Sequence, residues 1–262
     1  MQNYKPVLFL KKFLSNFPLV KHDDPYEKPP LSVETAPILF VENWNKDPES
    51  PAREIYSRLW QTYIRLTKQK ITVVNASSQA SPDSILPILQ VNGERLVYKS
   101  GLFDHFLVHG YRNETITPWL DLLSESVEPA ILYTMFLDQE NTESVNKRWL
   151  YPTSWPLSYV LQSRKSLQIK QHLLDKMKSM NGEYLYAEAA EAFSLMAEKL
   201  GTSTYFLDVE EPSFMDIAIY AYGSILLELP LQNRQLQQSL QRHPNLVSLI
   251  HSVSDVAGFS RR

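Results

Sequence analysis

There is no cysteine anywhere in the 262 residues. That excludes disulfides, thiolate metal sites, cysteine nucleophiles and any C-x-x-C redox pair. Glycine is scarce, at seven residues, and forms neither a phosphate-cradling loop nor a G-x-S-x-G nucleophile elbow. Charge of one sign is also missing. The formal net charge is -3, and neither half is basic enough for a nucleic-acid footprint. Long hydrophobic runs are absent too. The most apolar stretch, Ile217 to Leu227, lies between Asp216 and Glu228 and is about half of what a membrane helix needs. At the start, Val7 to Leu10 is too short for a secretory signal, and Lys11 and Lys12 follow it rather than precede it. With 44% hydrophobic and 21% charged residues, the composition is that of a soluble globular protein. Its expected home is the cytosol or the cytosolic face of a membrane.

What is present divides into three parts. Residues 1–37 read as an arm. Leu10, Phe13, Leu14 and Phe17 recur at helical spacing, and Pro18, Pro25, Pro29, Pro30 and Pro37 then forbid regular helix. Such an arm either packs on the protein's own surface or docks on a partner or a membrane.

Residues 38–112 read as alternating strands and helices. Ile38 to Val41 is an apolar run that fits a strand buried on both faces. A helical pattern follows, with Ser50 suited to the N-cap and Pro51 to the first helical position. Ile55, Tyr56, Leu59, Trp60 and Tyr63 form one face of this helix, and Arg53, Arg58, Gln61 and Arg65 lie away from it. Ile71 to Val74 is a second strand. Pro87 to Val91 and Glu94 to Tyr98 flank Asn92-Gly93, a strong signal for a tight hairpin turn. Ser100 then opens a helix. The order β-α-β-β-β-α, with Pro87 at the head of the third strand, is the thioredoxin arrangement. It leads us to expect a cis Leu86–Pro87 bond.

Residues 117–262 read as helix throughout. Patterns run over Trp119–Leu137, Leu157–Met177 and Ala187–Leu200, the last ended by Gly201. Ser213 and Asp216 have capping-box spacing, with aspartate in place of the usual glutamate. The helix behind them is apolar almost all round and is expected to be the buried centre, stopped by Pro230.

An α/β thioredoxin-like domain followed by an all-α domain resembles the glutathione-transferase fold, and Pro87, Ser213 and Asp216 sharpen that resemblance. Within that superfamily the chain resembles the metaxins. The similarity is carried by Tyr151-Pro-Thr-Ser-Trp155-Pro156-Leu157, by Leu200-Gly201-Thr202 through Tyr205-Phe206 to Pro212 and Asp216, and by Leu231 to Leu236 with Arg242-His243-Pro244-Asn245-Leu246. Ser81-Pro82 to Leu89 also fits. The front segment Phe13 to Leu19 is similar to the metaxin-related receptor subunit of the mitochondrial sorting and assembly machinery.

The resemblance implies a non-catalytic subunit on the cytosolic face of the mitochondrial outer membrane, helping to recognise and insert β-barrel precursors. The implied partners are the barrel subunit, a second metaxin-like subunit and the precursor polypeptides. The chain ends in Phe259-Ser-Arg-Arg262 without an apolar tail, which implies the unanchored, second-metaxin type, held peripherally with no transmembrane helix.

The chemistry that competes with this reading is a glutathione-dependent transferase, which activates a thiol with a hydroxyl near the first strand and helix. Ser50 is the candidate, and its role as a helix cap is the simpler explanation. Lys99, before Ser100, stands where that superfamily grips the ligand's ammonium with an acid. A third possibility is a docking domain of a soluble complex. His105 and His109 have a metal-compatible spacing but no third ligand at motif distance. No catalytic residue, cofactor or metal is therefore expected. The aromatic residues Trp149, Tyr151 and Trp155, with Phe13 and Phe17 in the arm, are the candidate partner surface.

Overall fold

The computed structural model describes residues 36–43, 50–78, 81, 85–91, 95–98, 100–106, 115–147, 157–176, 180–207 and 210–259. The described elements all belong to one unit, residues 35–262.

The strands are β1 (Ile38–Glu42), β2 (Thr72–Ala76), β3 (Ile88–Val91) and β4 (Arg95–Tyr98). They form one mixed sheet in the order β2-β1-β3-β4. β1 runs parallel to β2 through the crossover helix α1 (Ile55–Leu66), because parallel neighbours need a long connection. The β3–β4 pair is antiparallel, with Val91 opposite Arg95, and the Asn92-Gly93 pair expected to turn between them lies outside the described residues. The Leu86–Pro87 bond is cis. The expectation that β1 is buried on both faces is only half right. Leu39 and Val41 are fully buried, but Ile38, Phe40 and Glu42 on the other face are partly exposed.

Helix α2 (Ser100–Phe106) closes the sheet part. From Thr117 the described chain is helical. α3 (Thr117–Leu122) passes through a π-helical turn at Leu123–Val127 into α4 (Glu128–Phe136). The pattern Trp119–Leu137 is thus one helix with a bulge, since the Glu128 N–H donates to the Leu123 carbonyl five residues back. Pro129 is the local cause: it has no N–H for the carbonyl of Glu125, and its ring crowds that carbonyl. Then come α5 (Gln139–Val145), α6 (Leu157–Asp175), α7 (Gly182–Leu200), α8 (Phe214–Glu228), α9 (Gln235–Gln241) and α10 (Pro244–Val256). Helix α7 begins five residues before the pattern at Ala187, capped by Asn181. At position 182 a Cβ would lie 2.5 Å from the Tyr133 ring, so a larger residue there would have to displace that ring. Among the described residues no helix is long and apolar enough to cross a membrane.

Helix α8 is the centre. Every residue from Phe214 to Leu226 is buried, as a helix that is apolar all round must be. Its head is held by the expected box. Ser213 Oγ accepts from the Asp216 N–H, and Asp216 Oδ2 accepts from the Ser213 N–H at 2.8 Å. The other carboxylate oxygen accepts from the Phe206 N–H at 2.7 Å, so one aspartate ties the preceding loop to the helix. Burial raises the Asp216 pKa although these bonds oppose the rise.

The other stretches that carry the family resemblance are also sites of backbone satisfaction. Asn245 Nδ2 donates to the Ala197 and Gly201 carbonyls at the end of α7. Asn141 Oδ1 accepts from the N–H groups of Gln232 and Asn233, which fixes the loop between α8 and α9. The first stretch, from Tyr151 to Pro156, lies outside the described residues.

The sheet side meets the helical side along α1 and α8. Trp60 stacks on Phe106, with centroids 4.9 Å apart, and packs against Phe103 and Phe214 at 5.1 and 5.7 Å. Here the sequence expectation fails for the polar face of α1, since Arg58 and Gln61 are fully buried. The reason is that α8 covers the side of α1 that an isolated amphipathic helix would show to water. Arg58 Nε donates to the Ala52 carbonyl at 2.6 Å, and Nη1 donates to Ser224 Oγ at 2.7 Å. Its two terminal nitrogens bind the two oxygens of Glu228 at 2.8 and 2.9 Å. Gln61 in turn accepts from the Ala52 N–H and donates to the Ser50 carbonyl.

Replacing Arg58 by Met should cost about 2–3 kcal/mol, through the loss of a charge-assisted fork. The cost stays below that of stranding a buried ion because Glu228 is 43% exposed. Asp216→Ala should cost about 2–4 kcal/mol, combining a lost cap with unmet backbone donors. Urea unfolding midpoints measure both, and a change under 1 kcal/mol in either variant would contradict this account of the packing.

Candidate functional site

Among the described residues, the first strand and first helix present a candidate site. Helix α1 does not begin where Ser50 and Pro51 suggest. It begins at Ile55, and Glu54 is its N-cap, with its carboxylate accepting from the N–H of Tyr56 at 3.0 Å and of Ser57 at 2.6 Å. Ser50 is buried instead. Its hydroxyl accepts from Asn43 Nδ2 at 3.0 Å, and its carbonyl is engaged by Asn43 and Gln61. The local rule favoured Ser-Pro, but these side-chain bonds hold residues 50–54 in a non-helical path. They leave Glu54 to meet the free N–H groups at the helix start, where a negative charge is also favoured by the helix dipole.

Glu54 opens onto a cleft of about 110 Å³ between the sheet and the helices. Glu42, Arg53, Glu54, Ile55 and Ser78 form the sheet-side wall, and Leu132, Met135, Phe136, Lys165 and Ile225 form the helical wall. Ser78 Oγ donates to Glu42 Oε1 at 2.8 Å. Lys165 Nζ stands 6.0 Å from the centre of the Phe136 ring. Burial pushes the Glu54 carboxyl up to about 7, against the two N–H bonds that favour its charged form, and nearby Glu42 adds to the rise.

Behind the head of α1, the buried Glu128 accepts from Tyr56 Oη at 2.9 Å and from Tyr222 Oη at 3.4 Å. Burial raises the pKa of Glu128 and of both phenols. The tyrosines therefore remain protonated donors, not the activated oxygens that thiol chemistry would use. The head of α1 is where a bound anion or thiolate would find free N–H groups. In this chain the protein's own Glu54 carboxylate takes those groups.

Those residues singled out from sequence that the structure describes do not line this cleft. Pro87 is buried at the head of β3, and Ser213 and Asp216 form the cap of α8. Phe13, Phe17, Trp149, Tyr151 and Trp155 lie outside the described residues, as do Lys99, His109 and the side chain of Ser100. The cleft residues Glu42, Glu54 and Lys165 went unread in the sequence. The one available signal was an acidic residue directly before the periodic run that starts at Ile55.

Comparison with known proteins bears out the resemblance. A family model described as "Outer mitochondrial membrane transport complex protein" (Tom37) matches residues 59–166. One described as "Glutathione S-transferase, C-terminal domain" matches residues 189–253. Metaxin-1 of Macaca fascicularis is 24% identical over 219 residues, which cover 75% of this chain and 68% of that protein. Metaxin-1 of Homo sapiens is also 24% identical, with 75% of this chain and 46% of the human protein covered. Metaxin-3 of Danio rerio is 28% identical over 144 residues, 52% of this chain and 45% of that one. The match thus spans about half the length of the human and zebrafish relatives. These names are those of the first and third metaxins, so they lend no support to the expected second-metaxin type.

Among solved structures, a glutathione transferase from Phanerochaete chrysosporium superposes with a TM-score of 0.56 at 13% identity, covering 87% of this chain and 99% of that one. The beta-etherase LigF from Sphingobium gives 0.51 at 11% identity, covering 84% and 95%. The fold is glutathione-transferase-like.

The Glu54 carboxyl gives the cleft a pH signature. Its ordinary value is 4.5 and its folded value is about 7, so between the two the folded state keeps a proton that the unfolded chain has released. Stability should therefore fall as pH rises through this window and level off above it. Glu54→Gln is neutral throughout and can still cap through its amide oxygen, so it should flatten part of that slope. Glu128 and Asp216, also raised by burial, account for the remainder. Chemical denaturation at several pH values tests this, and an unchanged slope in Glu54→Gln would contradict it.

Proposed function

We propose that this metaxin-related chain is a non-catalytic subunit of a transport complex at the mitochondrial outer membrane. It sits peripherally on the cytosolic face and helps a barrel-shaped partner take up and insert β-barrel precursors. The observation that carries the outer-membrane part is the match of residues 59–166 to the outer-membrane transport family, together with the metaxin relatives. The non-catalytic part rests on the head of α1. Glu54 caps the N–H groups that would steady a thiolate, Ser50 is a buried hydrogen-bonded group, and cysteine is absent. With those N–H groups already taken, the helix head has none to offer an anionic sulfur.

Four measurements separate this reading from a glutathione-dependent transferase and from a docking domain of a soluble complex. Tagged chain expressed in its own cells should fractionate with mitochondria and co-purify with the barrel subunit, and its depletion should slow porin assembly. Purified chain should pass through immobilised glutathione unretained. Retention that Ser50→Ala abolishes would favour the transferase. Recovery in the cytosol without the barrel subunit would favour the soluble complex, and either result would overturn the proposal.

A further inference from the structure

Helix α6 (Leu157–Asp175) turns the wrong kind of face to water. Only Ile169 and Leu173 of its nineteen residues are both apolar and buried. On the opposite side, Val160, Leu167 and Leu174 stand 57%, 68% and 55% exposed. They recur every seven residues, so they fall on one line about 21 Å long down the outer side of the helix. Leu157 and Tyr159, also exposed, extend the apolar surface at its N-terminal end. A surface helix normally places such residues toward the core and its charges outward.

The charges on this helix are mostly basic. α6 carries Arg164, Lys165 and Lys170 against a single acid, Asp175, at its last position, although the chain as a whole is acidic at -3. Arg164 and Lys170 are exposed. Gln171 donates to Asp175 at 3.0 Å, which further occupies the one acid. An exposed aliphatic line flanked by basic side chains suits an anionic lipid surface, where the aliphatic groups enter the headgroup boundary and the cations meet phosphates. A protein groove fits less well. Arg164 and Gln171 interrupt the line, and a groove would have to desolvate both, whereas at a bilayer their stems can lie flat while their polar ends reach the headgroups.

We propose that α6 is the membrane-docking face of this protein, lying in the plane of an anionic bilayer with Val160, Leu167 and Leu174 inserted and Arg164 and Lys170 on lipid headgroups. The inference rests on the peripheral reading above only for which membrane is met.

The test is co-sedimentation of the full chain with phosphatidylcholine vesicles, with and without about a third of anionic lipid. Two variants are compared, Leu167→Glu with Leu174→Glu, and Arg164→Glu with Lys170→Glu. All four side chains are exposed, so the fold should persist, and thermal melts of each variant verify it. The wild type should bind anionic vesicles and lose binding as salt rises. Each double variant should bind at least about 10-fold more weakly.

Wild-type protein left in the supernatant with anionic vesicles would overturn the proposal, and so would folded variants that bind as the wild type does. A concentration-dependent dimer dissolved by the Leu167 and Leu174 changes would assign the face to a second copy instead, and would equally overturn it. Vesicle binding without recovery of the barrel subunit from mitochondria would leave this inference standing and remove the proposed function. Recovery of that subunit with no vesicle binding would do the reverse.

Discussion

The bond between Arg58 and Glu228 sets the terms on which the two kinds of structure in this chain meet. A fully buried guanidinium in the first turn of α1 is tolerated only because each of its polar edges is met. The Ala52 carbonyl takes Nε, Ser224 and Glu228 take Nη1, and Glu228 also takes Nη2. Such a group costs several kcal/mol to bury and becomes acceptable only with near-complete satisfaction. That requirement limits how α1 can lie on α8. A rotation of either helix by one residue, about 100°, would part the fork from its carboxylate. The aromatic contact of Trp60 with Phe214 and Phe106 supplies apolar burial at the same junction, and the arginine supplies its register.

The cleft follows from that docking. Once α8 fixes α1, the head of α1 faces the wall made by α4 and α6, and Glu54 is placed where burial lifts its pKa. At this position the free N–H groups of a helix start are available to an anion unless the protein meets them itself. Here the Glu54 carboxylate meets those groups itself. The neighbouring Glu128, held by two protonated phenols, is a second acid used for cohesion. Function in this chain is therefore sought on its outside, and the apolar line of α6 is the surface whose chemistry is hardest to explain by stability alone.

The stretches by which the chain resembles the metaxins acquire a physical meaning in the fold. Asn245 closes the end of α7, Asn141 holds the loop before α9, and Asp216 joins that of Phe206 to α8. Each supplies hydrogen bonds to backbone groups at a helix end or a loop, where a buried polar group left unpaired is costly. The resemblance there reflects how helices are terminated and connected. It says little about which surface meets a partner, and the aromatic residues proposed for that role, Trp149, Tyr151 and Trp155, stand outside the described residues.

What the sequence determined by itself was local. The order of strands and helices, the proline at the head of β3, the Ser213–Asp216 box, the Gly201 stop and the buried character of α8 all depend on residues within a few positions of one another. Rules of period and capping read such features directly. They failed at Ser50, where side-chain bonds from Asn43 and Gln61 override an otherwise good cap, and at Arg58 and Gln61, assigned to water on the helix wheel and found buried. Only tertiary structure could decide these. The partners of Arg58 lie 166 and 170 residues away in the chain, and Glu128 meets Tyr56 across 72. No periodicity within α1 encodes a second helix lying across its polar side. The pKa of Glu54 and the exposed apolar line of α6 are likewise properties of what does, and does not, pack against a helix.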